Sequence, residues 1–269
     1  MNLHRAAREA LQICDPDAKM AACEALWQDW NAGRLQLAGL ADPEPLMQAG
    51  RPARPELVAP EALPPRRLNG PEGHAALIHA LAHIEFNAIN LGLDAVYRFQ
   101  AMPPEFYRDW LQVAREEAYH FRLLREHLRG LGREYGDFPA HDGLWRLARR
   151  TAADPLARMA LVPRLMEARG LDATPALRAR LAGYGDAAGA DILDIILRDE
   201  IGHVAAGDRW FRWLCVRQGS DPETTYIELI RAYDAPRPRR PFNESARKVA
   251  GFSEDELTNL ACMEARPRQ

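Results

Sequence analysis

Cysteine is scarce in this 269-residue chain: Cys14, Cys23, Cys215 and Cys262 are scattered, with no Cys-x-x-Cys pair. That excludes a zinc ribbon or thiol clip, and the expected state is reduced thiols in the cytoplasm. Lysine is scarcer still, with Lys19 and Lys248 alone, so basic character rests on arginine. A formal net charge of -3 supplies no global field to draw in nucleic acid. No stretch of 18 uncharged apolar residues exists, and the opening Met1-Asn2-Leu3-His4-Arg5 has no apolar leader core. The expectation is a cytoplasmic protein without a membrane span.

What is present is ordinary globular material, 47% hydrophobic and 27% charged, in a chain long enough to bury a sizeable core. Residues 1–41 read as a helical extension of two short helices split at Asp15-Pro16-Asp17, with Leu11, Leu26 and Trp27 to dock them. Residues 42–72 carry eight prolines and read as an extended arm, because proline removes donors and biases its predecessor away from the helix. Leu46, Leu57, Val58 and Leu63 would lay that arm over the rest.

Residues 73–218 contain the longest helical patterns: about Gly73 to Phe99, Pro104 to Arg129, a third opened by Asp154-Pro155, and Asp186 to Arg217. A passage from Glu134 to Asp154 with a short helix, Gly143 to Thr151, fits the single long crossover of a four-helix bundle. Thr174-Pro175 predicts the start of a separate short helix. Residues 219–269 read as a helical tail, with a basic proline-rich loop at 235–243, a helix capped by Ser253, and a frayed end at 264–269.

Two phrases on these helices carry the chemistry. Arg115-Glu116-Glu117-Ala118-Tyr119-His120 and Arg198-Asp199-Glu200-Ile201-Gly202-His203 each place a carboxylate and an imidazole three residues apart, on one helix face. Around Glu117 the same face carries Trp110, Val113, Phe121 and Leu124; around Glu200 it carries Leu193, Ile196, Val204 and Gly207. A buried ionisable pair is costly unless it is paired, hydrogen-bonded or metal-bound. With 8 histidines, about one accidental Glu-x-x-His is expected, so it is the repetition on apolar stripes that carries weight. Two surface pairs worth a few tenths of a kcal/mol would leave those apolar flanks unexplained.

Each phrase follows a helix with a glutamate of its own. Glu117 follows Glu85 by 32 positions, and Glu200 follows Glu167 by 33. A glutamate from each of two helices and a Glu-x-x-His from each of two others make a dinuclear carboxylate site. Carboxylate oxygen with one imidazole per ion suits iron, with manganese as the alternative. Glu116 and Asp199, beside the ligand glutamates, are candidates to support the opposite histidine, or else surface partners of Arg115 and Arg198. Glu167 has a difficult setting: Pro163 and Gly170 predict a kink or an end there, and Arg164 shares its face. His79 and His83 read as surface or helix-packing residues, and Asp191 and Asp194 as solvated.

The phrases His83-Ile84-Glu85, Arg115 to Phe121, Glu167-Ala168-Arg169-Gly170-Leu171-Asp172 and Arg198 to His203 resemble the ferritin-like di-iron carboxylate superfamily, in its bacterial branch known as a domain of unknown function. The likeness extends to Gly50-Arg51-Pro52-Ala53-Arg54-Pro55 and to Pro241-Phe242-Asn243. It implies an all-α fold: a ferritin-like four-helix bundle with extra N- and C-terminal helices and a proline-rich arm. It also implies two metal ions on Glu85, Glu117, His120, Glu167, Glu200 and His203, but supplies no substrate.

The expected function is a non-haem di-iron, or iron/manganese, oxidoreductase that activates dioxygen or peroxide. Its substrate is unidentified: a small molecule or, by analogy with a tRNA-nucleoside hydroxylase of related fold, a modified nucleoside. An electron donor is implied and a homodimer is compatible; nucleic-acid contact is disfavoured. Two alternatives belong to other classes. One is ferroxidase and iron storage, against which the arm and tail are excess for a cage subunit; the other is a metal-free helical interaction module.

Overall fold

The computed structural model describes residues 1–38, 43–44, 46–64 and 68–263. Among them there are eleven α-helices and no strand, only two isolated bridges. The helices are α1 (Leu3–Gln12), α2 (Pro16–Asn31), α3 (Pro71–Arg98), α4 (Pro104–Gly130), α5 (Gly143–Arg150), α6 (Pro155–Leu161), α7 (Ala168–Tyr184), α8 (Ala187–Gln218), α9 (Pro222–Ala232), α10 (Glu244–Val249) and α11 (Glu254–Cys262). A π turn, Val162–Glu167, joins α6 to α7. The chain divides into two compact units: residues 1–149 with 180–192, and residues 150–179 with 193–269.

In the first unit α3 packs along α4, α1 covers α3 and α2 covers α4. The α3–α4 approach is close because Gly92 has no side chain: a Cβ there would lie 3.1 Å from the Trp110 carbonyl and the Ala114 Cβ. Phe86 on α3, Phe121 on α4 and Tyr135 beyond them form one aromatic cluster, with centroids 5.0–5.5 Å apart. Each such ring contributes roughly 1.5–3 kcal/mol by leaving water. The turn at Asp15-Pro16-Asp17 forms as expected, Asp15 capping α2 through the Ala18 amide. Lys19 is fully buried there: its Nζ donates to the Leu11 carbonyl at the end of α1 (2.7 Å) and to Asn90 Oδ1 on α3 (2.6 Å).

The arm is docked at Gly50 and again at residues 56–58. Gly50 donates to the Leu11 carbonyl; at the Leu57–Ala140 bridge Val58 donates to the Ala140 carbonyl and Ala140 donates to that of Glu56. A Cβ on Gly50 would sit 2.3 Å from the Gln12 backbone, so a side chain is excluded there. Asp42, Pro45 and Pro65 of the expected arm, and the frayed end at 264–269, lie outside the described residues.

The second unit differs from expectation in one helix. Thr174-Pro175 does not begin a new helix; Pro175 lies inside α7. A proline there removes the N–H that would serve the Leu171 carbonyl. That carbonyl accepts from Asn243 Nδ2 (3.2 Å), and Thr174 Oγ1 donates to Gly170 O (2.7 Å). An outside donor thus replaces the missing helical one, and the helix continues. The same unit is organised by Arg164, fully buried with its guanidinium 4.1 Å from the Tyr226 ring centre and 4.3 Å from that of Phe252. Its nitrogens donate to Asp208 (2.6 Å) and Glu256 (2.5 Å). Ser253 and Glu256 form the expected capping box at the start of α11.

Candidate functional site

Glu85 lies mid-α3 on a face shared with Ile78, Ala82, Ala88 and Ile89, all buried. Glu117 and His120 lie one turn apart on α4, flanked by buried Trp110, Val113, Phe121 and Leu124. Because α3 and α4 pack along their apolar faces, the three polar side chains meet inside the first unit. Glu85 is 5% exposed, and Glu117 and His120 are 0% exposed. His120 Nδ1 is 3.4 Å from Glu85 Oε2 and 3.5 Å from Glu117 Oε2. Burial, and then the charge of Glu117, push the Glu85 carboxyl well above the ordinary carboxylate range. Two carboxylates and an imidazole gathered in a dry interior have the composition and spacing of metal ligands.

The second unit holds the other three candidates, Glu167, Glu200 and His203, of which the last two lie side by side. Glu200 and His203 are buried one turn apart on α8, His203 Nδ1 lying 3.5 Å from Glu200 Oε1. Leu193, Ile196 and Val204 flank them, buried as the apolar stripe predicts. Glu167 closes the π turn, half-buried with its Oε2 shielded from solvent. The expected kink or end at Pro163 takes the form of this wide turn, a common way to absorb a proline and one frequent at functional sites. The Pro163 ring rests where a Cβ on Gly207 of α8 would lie 2.5 Å from it, which accounts for glycine at that position. Arg164, which threatened to share the face of Glu167, is held instead by Asp208 and Glu256.

The neighbouring residues fall as follows. Glu116 is half-buried and accepts from Gln112, while Asp199 pairs with Arg198 at 2.8 Å, one of the two roles that the sequence offers it. Arg115 pairs with Glu24. His79 and His83 are both buried: His79 Nε2 takes the Gly136 amide, and His83 Nδ1 lies 2.9 Å from the Tyr135 hydroxyl. They pack α3 against the turn that follows α4, the helix-packing role rather than the surface one. Asp191 and Asp194 are exposed, Asp194 paired with Arg178. Unforeseen in the sequence is a second polar group, His74, His127 and Asp186, whose members come from three distant segments with no shared spacing to betray them.

Among the described residues no helix is long and apolar enough to cross a membrane. No solved structure matches the chain. An uncharacterized protein of Haemophilus influenzae is 48% identical over 259 residues, covering 92% of this chain and 90% of the relative. A family model matches residues 12–258, a span that includes the arm, both Glu-x-x-His phrases and the 241–243 loop. By that match the chain belongs to the family described as Protein of unknown function (DUF455).

Proposed function

We propose that the protein is a di-iron, or iron/manganese, carboxylate oxidoreductase of ferritin-like type, acting on a small-molecule or modified-nucleoside substrate with electrons from a donor. The observation that carries the reading is the Glu85–Glu117–His120 set. Two carboxylates that share a solvent-free interior repel one another, and burial without a compensating charge is expensive. A divalent cation removes both penalties. Glu85, Glu117 and His120 would hold one ion; Glu167, Glu200 and His203 would hold the other. Four carboxylates then balance two divalent charges.

Bound iron supplies the redox chemistry by which dioxygen or peroxide oxidises a substrate. The chain's own part is electrostatic and steric. Trp110, Val113, Phe121 and Leu124 keep water from Glu117 and His120, so the carboxylates act in a low dielectric. The i,i+3 spacing on α4 and α8 fixes each imidazole beside its carboxylate before any ion arrives.

The deciding experiment is metal quantification on protein purified without chelator, coupled to absorption spectroscopy of the oxidised form. Two iron or manganese ions per chain, with oxo-bridged ferric absorption when iron fills both positions, is the expected result. Less than one ion per two chains would favour a metal-free helical module. A closed shell of many copies that accumulates iron would favour storage.

A further inference from the structure

The first unit contains a second convergence of metal-ligating atoms, formed by His74, His127 and Asp186, none of them among the six ligand candidates of the iron reading. His74 lies in the opening turns of α3, His127 in the last turn of α4, and Asp186 caps the start of α8. Asp186 divides its carboxylate between two tasks. Oδ1 accepts the Gly189 amide at 2.8 Å, an N-cap bond. Oδ2 faces both imidazoles, 2.6 Å from His74 Nε2 and 2.8 Å from His127 Nε2. Burial alone would raise the Asp186 carboxyl, but the Gly189 amide and the two histidines hold it below its ordinary range.

Three features mark this as more than a hydrogen-bonded clasp. The side chains of His74 and Asp186 are 7% and 6% exposed, while that of His127 is 14% exposed and leaves one side open. Gly189 keeps the carboxylate clear: a Cβ there would lie 2.3 Å from Asp186 Oδ2. One ligand atom from each of the three residues falls within 4.8 Å of the others. Tetrahedral ligands at zinc distances stand about 3.3 Å apart, so the two Nε2–Oδ2 separations, 2.6 and 2.8 Å, need to open by only about 0.7 and 0.5 Å.

We propose that His74, His127 and Asp186 form a binding site for a divalent transition-metal ion of the zinc class, which fastens the start of α3, the end of α4 and the start of α8. Two neutral imidazoles and one carboxylate are three ligands of a tetrahedral site. Each histidine presents the Nε2 lone pair to the ion and keeps its proton on Nδ1. A proton carried on either Nε2 is released or moved to Nδ1 as the ion enters. The fourth position faces the exposed side of His127 and takes water.

The test uses the full chain, freed of metal by chelator and titrated with Co2+ for its visible absorption and with Zn2+ for its effect on the melting temperature. Wild type is expected to bind one equivalent of Co2+ that His127→Ala and Asp186→Asn do not bind. The affinity for that equivalent should fall by more than the 10–100-fold typical of losing a mere supporting residue. Zn2+ should raise the melting temperature of wild type but not of His127→Ala. Glu117→Ala should keep this equivalent, which separates the proposal from the iron reading. His127 lies at the open edge, so its alanine variant is expected to fold; circular dichroism checks this. If His127→Ala binds as many equivalents as wild type with equal affinity, or Zn2+ stabilises both alike, the group is only a hydrogen-bonded clasp and the proposal fails.

Discussion

Asn243 Nδ2 donates to the Leu171 carbonyl at 3.2 Å, four residues ahead of Pro175, whose missing N–H would otherwise have served that carbonyl. The 241–243 loop therefore does for α7 what the helix's own backbone does elsewhere. Asn243 also caps α10 through the Ala246 amide, so one side chain serves two helices. Asn243→Ala should cost roughly 1–3 kcal/mol, the range for orphaning a buried acceptor and losing a cap. Pro175→Ala in the same background should recover part of that loss by restoring the helical donor. Denaturant unfolding of the four members of this cycle measures the coupling; strict additivity would show that the two residues do not share the carbonyl.

Burial depresses the Lys19 ammonium from 10.5 to about 8, the charges of Cys23 and Cys14 opposing it. The unfolded chain then binds more protons than the folded one between those two values. Stability contributed by this position therefore rises with pH through that window, and the full cost of burying the charge is felt below it. Lys19→Met has no such dependence. The stability difference between wild type and Lys19→Met should move in favour of wild type by on the order of 2 kcal/mol between about pH 7.5 and 9.5. A difference flat across that range would mean that the ammonium is solvated.

Lys19 also shows where sequence reading stops. The boundaries of α3, α4 and α8 were legible to within about two residues, because prolines and glycines punctuate them and apolar stripes run between. The burial of Glu117, His120, Glu200 and His203 was legible for the same reason: each sits on an apolar stripe. A buried lysine is visible only once Leu11 and Asn90 are known to face it, and those contacts span eight and 71 positions. The π turn was hidden differently. Pro163 announces a disturbance, but whether the backbone kinks, ends or widens depends on Gly207 making room for the ring and on Arg164 finding Asp208 and Glu256. Likewise Thr174-Pro175 carries a start signal that tertiary contact overrides.

Glu117→Gln separates the charge of the carboxylate from its shape. In chelated protein it removes one of two neighbouring buried acids, and should stabilise the fold by about 1 kcal/mol or more. In protein loaded with iron or manganese it removes a ligand, and the order should invert. Melting temperatures of both proteins with and without metal report this crossing. A variant less stable than wild type in both conditions would assign Glu117 a structural hydrogen-bonding role.

Arg164 tests whether Glu167 depends on its surroundings. The guanidinium is sandwiched between Tyr226 and Phe252 and compensates Asp208 and Glu256, both nearly buried. Arg212 also reaches Asp208 (2.9 Å) and Glu256 (2.8 Å), so losing the buried partner leaves the two acids only partly compensated, and Arg164→Met should cost about 3 kcal/mol, the low end for breaking a buried pair. Arg164→Lys keeps the charge but loses the planar fork that reaches both acids, so it should recover only part of that loss. Because Arg164 sits in the π turn that ends at Glu167, the lysine variant should also lower metal occupancy while its helicity stays close to wild type. Metal analysis beside circular dichroism reads the two effects separately. Full occupancy in Arg164→Lys would show that the turn holds its shape without the fork, leaving Pro163 against Gly207 as what fixes it.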